Sequence, residues 1–142
     1  MYLVVYLHRV PRSREEVFRA VVHRANEVFR RHGAIGATLL EMSDPRAKYG
    51  CSGLLDGVDL TPDEVLYVEL NHFHDRAHFE EVMPKVDIDP ELEELYKTFV
   101  ETLDTSRILR GEFSTVFELF NPAERERYQQ TPHAQWEPAH QE

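Results

Sequence analysis

An α+β fold of the ferredoxin-like β-α-β-β-α-β order, built on a four-stranded antiparallel sheet, is predicted by three features of this chain. Four short segments, 2–10, 34–42, 65–73 and 112–120, carry the β-branched and aromatic residues that strands favour. A long amphipathic stretch lies between the first two, and a broken helical region lies between the last two. At 142 residues the chain fits one ordinary domain with a real core.

The first strand, "YLVVYLHRV" (2–10), is short and is ended by Pro11. Its apolar residues fall on both faces, so it expects cover on both sides. The first helix opens at "SREEVF", with Ser13 as a candidate N-cap and Glu15 and Glu16 where the helix dipole favours acids. Val17, Val21, Ala25 and Val28 form its apolar stripe, widened by Phe18, Val22 and Phe29. Arg30, Arg31 and His32 fill the last turn and Gly33 supplies the stop.

"AIGATLLEM" (34–42) reads as a second strand, ended by Ser43-Asp44-Pro45. The connection over 44–64 is rich in Gly, Pro and acids, and one that long is usually functional or mobile. "VLYVELNHF" (65–73) is the third strand, and Asp75 can cap a helix through "RAHFEEVM" that Pro84 interrupts. Residues 89–103 give a further helix with Leu92, Leu95, Tyr96, Phe99 and Leu103 on one face. In 112–120, Phe113, Thr115, Phe117 and Leu119 alternate as in a strand. Residues 1–120 thus form the expected domain. Residues 121–142 read as a flexible polar tail, ordered only if Tyr128 and Trp136 pack on something.

Composition narrows the function. Twenty-six acids against sixteen bases give a formal charge of −10, which opposes nucleic acid and anionic lipid. No stretch approaches the ~20 apolar residues of a membrane span. Cys51 is the sole cysteine, so no disulfide framework exists, and with no secretory leader expected the protein reads as cytoplasmic. A phosphate-cradling glycine loop and a dinucleotide fingerprint are both absent, and no cofactor is expected. One layer of helices covers only one face of the sheet. A second copy of the chain is expected to cover the other, giving a homodimer.

The opening strand ending in "VPRSR", the "HGAIG" helix exit, the "DRAHFEEV…DP" segment and "LDTSRILRGEF" together carry a resemblance. Over most of residues 1–118 the chain resembles the YbaA-like family of uncharacterised bacterial proteins, in the dimeric α/β barrel superfamily. The spacing of Asp104, Arg107, Gly111 and Phe113 is its most specific part. Where that family usually shows paired glycines this chain has Gly111-Glu112, and Leu70 stands where a tryptophan is common. The resemblance implies two sheets facing each other across a dimer. The wider superfamily is similar in fold to cofactor-independent monooxygenases, haem-degrading enzymes, lactone isomerases and small ligand binders, among which fold does not choose.

Several side chains are candidates for chemistry. His72, His74 and His78 crowd one junction; on a continuing strand His72 and His74 share a face, and three imidazoles can hold a transition metal. The same run also marks a strand turning into a helix, the reading the resemblance favours. Arg107 can hold a substrate carboxylate, or pair with Asp104 to tie the turn down. His8 beside Tyr6 and Tyr67 suits a general base in an apolar cavity, or a satisfied core. Cys51 has no neighbouring base and reads as inert. The expected function is a dimeric ligand-binding or accessory protein without catalysis. The alternative is a small enzyme of monooxygenase or isomerase type on an apolar substrate, with His8 or His74 as base and Arg107 holding the anion.

Overall fold

The computed structural model describes residues 1–125. The elements are β1 (Tyr2–Pro11), α1 (Glu15–Arg31), β2 (Gly36–Glu41), β3 (Glu64–Phe73), α2 (Arg76–Asp87), α3 (Pro90–Thr102) and β4 (Leu109–Ser114). The strands form a four-stranded sheet ordered β2-β3-β1-β4, with every neighbouring pair antiparallel. This is the α+β, ferredoxin-like arrangement that the pattern predicts.

Strand alternation sends Val4, His8 and Val10 of β1 and Tyr67, Asn71 and Phe73 of β3 toward the helices, where all are buried. Two apolar clusters result. Tyr2, Val4, Ala34, Phe73, Val82 and Val86 fill one end of the layer, and Val10, Phe18, Val22, Val65, Tyr67 and Leu103 fill the other. Between them along β1 and β3 lies a belt of Tyr6, His8, Glu69 and Asn71.

The opposite face of the sheet is apolar too. Leu3 faces Phe113, Leu7 faces Leu109 and Leu40 faces Val68 in the strand register. Phe113 is 57 % exposed, Leu40 48 % and Leu109 44 %.

Element ends differ from the sequence expectation in four places. Ser13 does not cap α1: Arg12–Arg14 form a 3-10 turn first, and the helix begins at Glu15 without a side-chain cap. Pro84 does not interrupt α2, which runs through it because Val82 and Val86 on either side are both buried. The last strand lies at 109–114 rather than 112–120. Its ladder to β1 ends at the Tyr2 and Ser114 pair, closed by the Thr115 N–H donating to the Met1 carbonyl. Phe117 and Leu119 then lie beyond the sheet and are exposed. His74 has already left β3, which stops at Phe73, so it does not share a strand face with His72.

Other local signals hold. Asp75 accepts from the His78 N–H at 2.8 Å, the N-cap bond at the start of α2. Gly33 takes φ +116 after α1, a conformation that side chains disfavour. The expected tail falls, beyond residue 125, outside the described residues, and Tyr128 and Trp136 with it.

Candidate functional site

The polar belt is the floor of a cavity of about 440 Å³ between the sheet and helices α1 and α3. Val21, Val22, Ala25 and Phe29 of α1 form one wall, and Leu92, Leu95, Tyr96 and Phe99 of α3 form the other. The helices are held together on the outside by ion pairs. Arg24 donates to Glu91 at 2.7 Å, Arg31 donates to Asp89 at 2.8 Å, and His32 lies 2.6 Å from Asp89. Asp87 and Glu93, both exposed, line the cavity too, so its mouth opens beside the α2–α3 junction.

A hydrogen-bonded network occupies the floor. His8 Nε2 lies 2.9 Å from Glu69 Oε1. A carboxylate only accepts, so this ring nitrogen is the donor. Asn26 and Asn71 donate their side-chain N–H groups to Glu69 Oε2 at 2.9 and 3.0 Å. Asn71 also donates to Asn26 Oδ1 at 2.8 Å, and Asn26 donates to the Val22 carbonyl at 2.9 Å. Glu69 is 8 % exposed, Asn71 1 % and His8 2 %. Burial pushes the Glu69 pKa up, but the bonds from His8, Asn26 and Asn71 outweigh it, leaving it below the ordinary glutamate value.

The other ring nitrogen of His8, Nδ1, is buried and has no hydrogen-bond partner among the described residues. Tyr6 stacks on the same ring at 5.7 Å between centroids, while Phe18 and Phe99 meet it edge-on at 5.1 and 5.7 Å. The imidazole is fixed in position by its neighbours. The Tyr6 hydroxyl accepts from Arg110 Nε at 3.3 Å, and burial raises its pKa.

Of the residues that the sequence singles out, Tyr6 and His8 line this cavity and the others lie elsewhere. Tyr67 packs against Phe18; its hydroxyl donates to Glu15 at 2.6 Å and accepts from Arg19 at 2.8 Å. Burial, reinforced by the Glu15 bond, pushes its pKa up to about 12. Arg107 pairs with Glu64 rather than with Asp104, and its carbonyl accepts from Arg9 at 2.6 Å. Asp104 caps the turn before β4, accepting from the Ser106 N–H at 3.0 Å.

His72 faces the outer side of the sheet, 3.0 Å from Thr38 Oγ1, and burial lowers its pKa. His74 and His78 lie together at the start of α2, ring centroids 4.8 Å apart, with the His74 N–H donating to His78 Nδ1. Among the described residues no group of three or more His, Cys, Asp or Glu is placed to hold a metal ion. Cys51 is exposed on the 44–64 connection.

Sequence reasoning missed Glu69, Asn26 and Asn71. The signal was present: Glu69 and Asn71 interrupt an apolar strand on the face shared with Tyr67 and Phe73, and Asn26 interrupts the stripe between Val22 and Phe29. A polar group at a core-facing position needs a partner, and here the three find one another.

The family model described as "Protein of unknown function (DUF1428)" matches residues 1–102. No curated protein matches the sequence. Among solved structures the chain is similar to the de novo designed protein Foldit4, at 17% identity over 81% of this chain and 99% of that one, with a TM-score of 0.39. So loose a likeness carries no argument about function. No helix among the described residues is long and apolar enough to cross a membrane.

Proposed function

We propose, for a chain that belongs to the DUF1428 family of proteins of unknown function, that it is a dimeric protein binding a small organic molecule between its sheet and helices α1 and α3. One observation carries this reading: an apolar cavity of about 440 Å³ whose floor holds a buried His8–Glu69 pair with one ring nitrogen unspent. Ligand sites combine apolar walls with a few fixed polar groups in this way.

The dimeric part, a pairing of the YbaA-like, dimeric α/β barrel kind, is supported by the exposed Leu40, Leu109 and Phe113 on the sheet face that carries no helix. A cytoplasmic location is supported by the unpaired, exposed Cys51. The test is a cavity-filling variant. Small aromatic fragments that bind the parent in saturation-transfer NMR are expected to be lost in Ala25→Trp. Absence of binding, or binding that survives the substitution, counts against the reading.

A second reading, a proton-transferring enzyme, is favoured by the carboxylate behind His8. In this reading the ring turns its buried Nδ1 toward the ligand to take a proton, and Glu69 then stabilises the cation that forms. Arg107, engaged with Glu64, lies outside the cavity lining, so His8 carries this reading without it. Deuterium appearing in a cavity ligand incubated in heavy water, and not with His8→Phe, would distinguish the two.

A further inference from the structure

We propose that residues 115–120 form an arm that docks, extended, along the β2 edge of a second copy of this chain; this rests on the dimeric part of the reading above. Val116 is 92 % exposed, Leu119 86 % and Phe117 74 %, so nearly the whole of three neighbouring apolar side chains faces water. Single exposed apolar residues are ordinary, whereas a contiguous run marks a surface that something else covers. Phe113, Thr115, Phe117 and Leu119 alternate as in a strand, yet residues 115–120 lie in neither strand nor helix. Their own sheet has no further rung for them. β1 starts at Tyr2, opposite Ser114, and the Thr115 N–H and hydroxyl both close onto the Met1 carbonyl. A segment patterned as a strand, with no strand beside it in its own chain, suits pairing with the sheet edge of another.

The occupant is a second copy for three reasons. The arm leaves β4 directly after Phe113 and Ser114, and Phe113 belongs to the exposed apolar face of the sheet. Arm and face are thus continuous, and one partner covers both. In a two-fold pair each arm reaches across while each face is covered, so the contact closes on itself. The far edge of the sheet supplies the receiving surface. β2 ends the order β2-β3-β1-β4, and an edge strand presents unpaired backbone N–H and C=O groups. Leu40, half exposed, stands on that edge strand. Six extended residues span about 20 Å, the reach of the six-residue β2 itself. Charge agrees: at −10 two copies repel, and the arm brings only Glu118 to the contact. The arm lies beyond the residues 1–102 that match the family model, so it is a feature of this chain's own extension.

The experiment compares the full chain with the triple variant Val116→Ser, Phe117→Ser and Leu119→Ser by sedimentation over a range of concentrations. All three residues are exposed in their own chain, so the variant is expected to keep the parent's circular dichroism. Its dimer Kd is expected to rise at least about tenfold. In dimers mixed from isotope-labelled and unlabelled chains, filtered NOEs should join the Phe117 ring and the Leu119 methyls to Leu40 of the other chain. A parent dimer whose Kd the triple variant leaves unchanged, or arm NOEs that stay within one chain, overturns the arm and leaves the dimer standing. A parent that stays monomeric at every concentration overturns the dimeric reading itself.

Discussion

His8 reaches Glu69 on the diagonal between the two central strands: Glu69 stands opposite Tyr6 in the register, yet its Oε1 lies 2.9 Å from the imidazole of the residue two places on. The pair shares one buried environment, so neither member can be removed without stranding the other. Truncating one partner of a buried pair usually costs roughly 3–5 kcal/mol. His8→Ala is expected to destabilise by about that amount in urea unfolding, and Glu69→Gln by less, since its amide still offers an oxygen to His8. A His8→Ala loss no larger than that of a surface substitution would mean that the network does not hold the core.

Acid should unfold the protein partly through Glu69. Its folded pKa lies below the ordinary value, because the His8, Asn26 and Asn71 bonds outweigh burial. A lowered carboxyl stabilises the fold in full above its unfolded pKa of ~4.3, and that stability is lost as the pH falls through the folded value. Glu64, lowered by its bond to Arg107, acts in the same direction. Urea midpoints measured from about pH 7 to about pH 3 should fall less steeply in Glu69→Gln than in the parent. Parallel curves would remove Glu69 from the acid transition.

The apolar outer face of the sheet predicts the oligomeric state. Phe113→Asp and Leu40→Asp place charges where a paired copy would bury them. Sedimentation is expected to show a dimer for the parent and a monomer for the double variant, with unchanged circular dichroism. A monomeric parent would leave that face without its proposed occupant.

At the start of α2, Asp75→Ala removes the N-cap acceptor of the His78 N–H. Such losses cost ~1 kcal/mol, and Asp75→Asn should restore most of it. Thermal melts of the three proteins check this directly. A melting point insensitive to Asp75→Ala would mean that the cap contributes little here.

Strand and helix order was legible because β-branched and aromatic runs mark strands and the helical stripe reports burial: Phe18, Val21, Val22 and Val28 of α1 are all buried. Boundaries were less so. Residues 115–120 alternate like a strand, but the ladder with β1 stops at Ser114, a fact of pairing that no local pattern carries. The site was half legible. Tyr6 and His8 announced themselves as aromatic and titratable residues on one strand, whereas Asn26, Glu69 and Asn71 mark only polar breaks in apolar faces, and that they meet one another is decided when three elements come together. The partner of Arg107 was misread for a related reason, since Glu64 lies 43 positions away and Asp104 only three.

The His8–Glu69 bond joins residues 61 apart in sequence and depends on the β1–β3 pairing. Contacts of that span are stable only once the loop-closure entropy between the two strands has been met by the wider fold. The site therefore exists only in the finished fold, and a partly folded chain has no version of it to offer. A molecule that fits the cavity would recognise the native protein alone and raise its stability by RT ln(1 + L/Kd), with L the free ligand concentration, a gain that grows long after the site is nearly full. If the cavity is filled as proposed, resistance to unfolding and occupancy of the cavity are two readings of one equilibrium.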